Sequence, residues 1–141
     1  EDDHSLYKYR DYLEIADYYL PNQKEAMKIT GEDTVEGAAE KLSRYFHDVI
    51  IKLDRDGCML RNEKGTRIIP PLEGGEAGHA TGAGDAFLSG FLYGIYHDCP
   101  VEQCIRFGNI TGGTCVQGIG CLTRYVEEAE LLRLAGMAAL P

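Results

Sequence analysis

Thr81-Gly82-Ala83-Gly84-Asp85-Ala86-Phe87 is a glycine turn that runs directly into an apolar segment, with one carboxylate at the junction. Two glycines flanking an alanine let the backbone turn its amide groups inward. The helix that follows presents unpaired N–H groups at the positive end of its dipole. Such a place attracts phosphate. The stretch is therefore read as an anion cradle with a candidate base, Asp85, beside it. From Ala86 to Tyr96 no residue is charged. Ala86, Gly90 and Gly94 recur every four positions, which predicts a narrow stripe for close backbone approach, while Phe87, Phe91 and Ile95 line the neighbouring face. A helix this apolar is expected to be buried on most sides, and at about 1.5 Å per residue it is too short to span a bilayer.

Taken alone, Asp85 has a structural reading as well as a chemical one, because an aspartate in a first helical turn is a common cap. The glycines exclude some chemistries. A dinucleotide fingerprint needs a small residue where Phe87 stands, a Walker loop needs Gly-Lys-Ser/Thr, and a nucleophile elbow needs serine between its glycines.

Composition sets the outer limits. The 141 residues suit one domain with a sizeable core. A net charge of −9 argues against nucleic acid or an anionic membrane as the main partner. The five cysteines are odd in number and show neither Cys-x-x-Cys spacing nor a histidine pair at zinc spacing, which points to buried thiols in a reducing compartment. No stretch reads as a signal peptide or membrane span, so the expected location is cytoplasmic.

Outward from the central turn, the chain reads as alternating helices and strands. Leu6, Tyr9 and Leu13 share a face of a short helix, and Ile15 to Leu20 reads as a strand stopped by Pro21. Asn22 and Glu25 have capping-box spacing, and the same acidic turn could instead help order hydrated magnesium. Asp33 to Glu36 repeats the capping-box form ahead of Val35, Ala38, Ala39, Leu42 and Phe46. Val49 to Leu53 suits a buried parallel strand, reached by a right-handed crossover. At its end Lys52 could meet a phosphate, and Gly57 turns the chain into a hairpin of Cys58 to Arg61 and Thr66 to Ile69, closed by Pro70-Pro71. A loop from Glu73 to His79 leads to the central turn.

Beyond that turn, Pro100 opens a helix whose second half, Asn109 to Val116, is rich in small residues suited to a flat ligand or to close helix packing. Gly118-Ile119-Gly120 breaks that helix, and Val126 to Leu134 forms the last one, ended near Gly136. Two interior strands and one hairpin are little sheet for so many helices, so the chain is expected to be part of a larger α/β layer.

The order Asn22-x-x-Glu25 after a strand, Lys52 to Gly57 after the next, then Gly-Ala-Gly-Asp and an Asn109 to Gly120 tail resembles the C-terminal half of the PfkB/ribokinase family of carbohydrate kinases. The resemblance runs from about Leu13 to Thr123. It implies an α/β, ribokinase-like layered sheet with flanking helices, residues 1–141 forming the C-terminal part of a single kinase domain. It also implies transfer of the ATP γ-phosphoryl group to a sugar hydroxyl. By similarity Asp85 is the base and Gly82, Ala83 and Gly84 form the anion hole. Asn22 and Glu25 match the motif associated with magnesium, held indirectly. Lys52, Gly57, Thr81, Asn109 and Gly120 fall at nucleotide-binding positions. The implied partners are ATP, a small sugar and the absent N-terminal half, with a homodimer as a further option.

Three departures limit what carries over. His79 stands where the family usually has an aspartate that helps bind a monovalent cation, and neutral imidazole is a poor ligand for a hard alkali ion. Asp54 replaces a glycine near the phosphates, where a carboxylate would repel nucleotide. The sugar-reading half and its lid have no counterpart in this sequence. The alternative expectation is a regulatory module that binds nucleotide on the same scaffold without catalysis.

Overall fold

The computed structural model describes residues 5–74, 82–117 and 125–140, which form two compact units. Glu1–Asp54 with Cys58–Ile68 makes the first, and Arg55–Gly57 with Ile69–Pro141 the second.

The first unit opens with helices α1 (Ser5–Lys8) and α2 (Arg10–Ile15), separated at Tyr9, whose backbone leaves helical geometry. Leu6 and Leu13 are buried as the shared face requires, whereas Tyr9 at the break is 42% exposed. Helix α3 (Gln23–Thr30) begins at the Asn22 capping box, and α4 (Val35–Leu42) begins one residue later than the expected cap. Thr34, not Asp33, accepts the amide of Gly37, so the third helical position is glycine and the predicted reciprocal bond from Glu36 does not form. Ala38, Ala39 and Leu42 turn inward with Leu6, Leu13, Phe46, Val49, Ile51 and Met59, giving one apolar cluster that packs α4 against the sheet.

That sheet has three strands in the order β1 (Val49–Lys52), β2 (Cys58–Asn62) and β3 (Gly65–Ile69). The hairpin is as predicted, one residue longer on each strand, around Glu63-Lys64. The expected parallel strand is corrected in its partner: β1 runs antiparallel to β2, with Ile50 opposite Leu60. Residues 15–20 form no strand. Ile15 completes α2, Ala16 is extended, and among the described residues the parallel pairing is a single bridge between Asn22 and Lys52, where the Lys52 amide donates to the Pro21 carbonyl at 2.8 Å. Pro21 has no N–H to return, so the ladder cannot be extended there. The expected crossover is thereby reduced to one bridge.

Helices α5 (Ala83–Tyr96), α6 (Val101–Val116) and α7 (Glu128–Leu134) form the second unit. Pro100 occupies the position just before the first turn of α6 and makes no side-chain cap bond, and the Gly136 amide reaches the Arg133 carbonyl to end α7. The seam between α5 and α6 is glycine on both sides. A Cβ at Gly90 would lie 2.5 Å from the Phe107 carbonyl oxygen, one at Gly94 2.8 Å from Cys104 Cα, and one at Gly108 2.7 Å from the Phe87 ring. Tyr93 Oη donates to Glu128 at 2.5 Å, tying α5 to α7; burial, then this carboxylate, pushes the Tyr93 phenol up to about 12. The expectation that α5 is buried on most sides is corrected: Leu88, Leu92 and Tyr96 are 42%, 52% and 83% exposed. Those residues lie away from the seam, and an uncharged sequence alone does not say how many faces of a helix find partners.

Candidate active site

Among the described residues the candidates form two groups, one in each unit. In the second unit the chain enters α5 through Gly82, whose φ of +83° lies in the left-handed region that glycine occupies without steric cost. The helix starts at Ala83, three residues earlier than the uncharged run suggested, so of the two glycines Gly82 turns the chain and Gly84 is already helical. The first intrahelical bond runs from the Ala86 amide to the Gly82 carbonyl at 2.9 Å. The amides of Ala83, Gly84 and Asp85 therefore have no intrahelical acceptor, and no side chain caps them. Gly84 and Asp85 are exposed. Asp85 lies in the first turn, where its charge matches the helix dipole as the structural reading expects, and at the third helical position it makes no cap hydrogen bond.

Helix α6 fixes this first turn in place. Thr111 Oγ1 donates to the Ala86 carbonyl at 2.6 Å, and a Cβ at Gly112 would stand 3.2 Å from the Ala83 carbonyl oxygen. The small residues from Asn109 to Val116 thus serve close packing along Phe87, Ala83 and Leu72. Asn109, 9% exposed, spends its amide on the chain: Nδ2 donates to the Ile69 and Pro70 carbonyls at 3.2 and 2.8 Å. That clamp forms one wall of a cavity of ≈ 290 Å³ lined by Pro70, Pro71, Leu72, Ile110 and Leu134 together with the charged Glu73 and Arg106. Gly57, with φ +86°, belongs to the same unit, where a Cβ would meet the Ile69 carbonyl oxygen at 2.1 Å.

The first unit brings Asn22, Glu25, Lys52 and Asp54 together. Both capping-box bonds are present at 2.9 Å: Asn22 Oδ1 accepts from the Glu25 amide, and Glu25 Oε2 from the Asn22 amide. The N-terminus of α3 is thus closed by its own side chains, while that of α5 is open. Asp54 takes a φ of +54°, the region where glycine is at home and aspartate is among the better tolerated substitutes. Its carboxylate accepts from Gln23 Nε2 at 2.9 Å. Neither this bond nor the Thr111 hydroxyl is legible from spacing; the only signal is that Asp54 stands where the resembling family has glycine.

Thr81, Gly120 and His79 lie outside the described residues. No group of three or more His, Cys, Asp or Glu side chains converges among the described residues. Asn22 Oδ1 and Glu25 Oε2 are committed to amides, which leaves the exposed Glu25 carboxylate one oxygen for a hydrated ion. That fits magnesium, which keeps most of its water and is often held through one or two carboxylates. Asn22→Ala is expected to cost about 1 kcal/mol of unfolding free energy, typical of a lost N-cap, read by urea titration. A loss above about 2 kcal/mol would show that Asn22 holds more than its helix.

A family model described as pfkB family carbohydrate kinase matches residues 2–129. The 1-phosphofructokinase of Haloferax volcanii is 35% identical over 121 residues, covering 80% of this chain and 39% of the relative. The solved nucleoside kinase of Burkholderia thailandensis in complex with inosine aligns with a TM-score of 0.78 and 27% identity, over 94% of this chain and 44% of that one. The aminoimidazole riboside kinase of Salmonella enterica, complexed with its riboside and an ATP analog, shares the fold at a TM-score of 0.81 and 22% identity, over 96% of this chain and 47% of that one. The chain spans less than half the length of these proteins.

Proposed function

The chain belongs to the pfkB family of carbohydrate kinases, and from that premise we propose that it supplies the base, the anion hole and part of the nucleotide site for ATP-dependent phosphorylation of a sugar hydroxyl. The observation that carries this reading is the uncapped N-terminus of α5 with Asp85 at its third position. Phosphoryl transfer requires in-line positioning and stabilisation of charge on the transferring oxygens rather than covalent help from the protein. The free amides of Ala83 and Gly84 supply donors that need no reorganisation as that charge develops. Asp85 accepts the proton of the attacking hydroxyl on its carboxylate, in the same first turn as the donors. Thr111 and Gly112 keep the turn rigid from α6.

The remaining groups hold and orient. Lys52 meets nucleotide phosphate from the end of β1, and the Asn109 clamp shapes the Pro70-Pro71 wall against which a nucleobase can lie. Thr81 and Gly120 complete the nucleotide positions by similarity. The Asn22–Glu25 turn holds hydrated magnesium through the Glu25 carboxylate; when bound, the ion neutralises phosphate charge. The acceptor is a small sugar, delivered by the N-terminal half of the same protein.

The test is ADP release by the complete polypeptide with magnesium and ATP, over a panel of free sugars, sugar phosphates and nucleosides, with the phosphorylated product identified by mass. Acceptor-dependent turnover is expected. Nucleotide binding in a calorimeter without turnover on any acceptor would instead support the non-catalytic module.

A further inference from the structure

The cavity beside the Asn109 clamp has walls of two chemical kinds. Pro70, Pro71, Ile110 and Leu134 are apolar, and the prolines stand where the Asn109 amide holds the Ile69 and Pro70 carbonyls. Glu73 and Arg106 are the charged members of the lining. At ≈ 290 Å³ the space is near the lower end for a small-molecule site, which suits one flat heterocycle between apolar walls. Helix α6 joins this cavity to the amide cradle. Asn109 and Ile110 line the one, Thr111 and Gly112 brace the other, and at about 1.5 Å per residue all four lie within roughly 5 Å along the helix axis. One helix thus presents a base-sized cavity and a phosphate cradle together.

Which base suits the cavity follows from what its polar groups have left to give. A carboxamide reads adenine bidentately, its N–H donating to N7 and its oxygen accepting from N6. Asn109 is the carboxamide in the lining, and its Nδ2 already donates to two carbonyls, one for each of its hydrogens. Glu73 offers acceptors alone and Arg106 donors alone. Guanine meets such a pair: N1–H and N2–H donate side by side to a carboxylate, and O6 and N7 accept side by side from a guanidinium. Each polar edge of adenine mixes a donor with an acceptor, so either charged group would face one mismatched atom. We infer that this cavity reads the base of the phosphoryl donor, and that Glu73 and Arg106 give it a preference for guanine over adenine. The inference rests on the kinase reading and deepens it: ATP binds through its phosphates and the apolar walls, and GTP adds the polar pair.

The experiment is calorimetric titration of the complete polypeptide with the magnesium salts of GDP, IDP and ADP, with phosphoryl transfer from GTP and ATP measured in parallel. GDP is expected to bind about 10-fold or more tighter than ADP, the scale of one good bidentate pair. IDP should fall between them, because hypoxanthine lacks the N2 amino group. Glu73→Gln and Arg106→Gln each exchange a one-sided group for a carboxamide, and each is expected to lower the GDP-to-ADP preference about 10-fold. A merely structural loss would weaken both nucleotides alike, so an unchanged ratio in both variants overturns the proposal. Equal affinities of the parent protein for GDP and ADP overturn it without any substitution. The two readings fail separately. Guanine preference in binding without transfer to any acceptor removes the kinase reading alone, and transfer from ATP and GTP with equal efficiency and equal affinities removes the base assignment alone.

Discussion

Asp85→Asn is expected to lower kcat for phosphoryl transfer by the complete polypeptide about 10²–10⁴-fold, the usual contribution of a positioned general base. The KM for ATP is expected to stay within a few-fold of the parent. The two quantities separate because the amides of Ala83 and Gly84 are backbone groups that the substitution leaves in place, so nucleotide phosphate still finds its donors. Asparagine keeps the shape and hydrogen-bonding reach of aspartate but cannot take a proton at neutral pH. Folding is not expected to obscure the result. Asp85 is exposed and makes no cap bond, so the loss to the fold is its interaction with the helix dipole, about 0.3–1 kcal/mol. A variant with parental kcat would remove Asp85 from the role of base. A variant with unchanged kcat and a greatly raised KM would make the carboxylate a binding group.

What could be read in the sequence was what is decided locally. The Asn22–Glu25 box and the Glu63-Lys64 hairpin depend on residues within a few positions of each other, and both form as expected. The α4 cap shifted by one because Asp33 and Thr34 are both good caps, and spacing cannot rank them. Pairing across the chain was less legible. Val49 to Lys52 was recognisable as a strand from its β-branched run, but its partner depends on which other segment returns beside it, and β2 does so in the antiparallel sense. The candidate site shows the same division. The glycines and Asp85 were evident together, whereas the start of α5 at Ala83 depends on the left-handed turn at Gly82. The Thr111 brace links residues 25 apart. Motif order along the chain carried the family assignment because several separately ambiguous signals had to agree.

Gly57→Ala is expected to destabilise the protein by about 2–5 kcal/mol, a large share of the roughly 5–15 kcal/mol available to a domain. Two costs act together. The φ of +86° is one that a Cβ resists, at about 1–2 kcal/mol. The added methyl would also stand 2.1 Å from the Ile69 carbonyl oxygen and 2.9 Å from the Pro70 carbonyl carbon, and overpacking of this kind costs about 1–3 kcal/mol. These neighbours are backbone atoms that cannot rotate away, and Asn109 Nδ2 holds both the Ile69 and Pro70 carbonyls from α6. Gly74→Ala is the control, with φ +76° and nothing within 4 Å of the added carbon, so only the conformational cost remains. Urea unfolding of the two variants should therefore differ by the overlap term, and equal losses would show that the 69–70 segment yields freely. The clamp makes a sharper demand. In an Asn109→Ala background the segment is released, so the Gly57→Ala loss should shrink and the two substitutions should fail to add. Strict additivity would mean that Asn109 does not stiffen this turn and would return its amide to the nucleotide as its main partner.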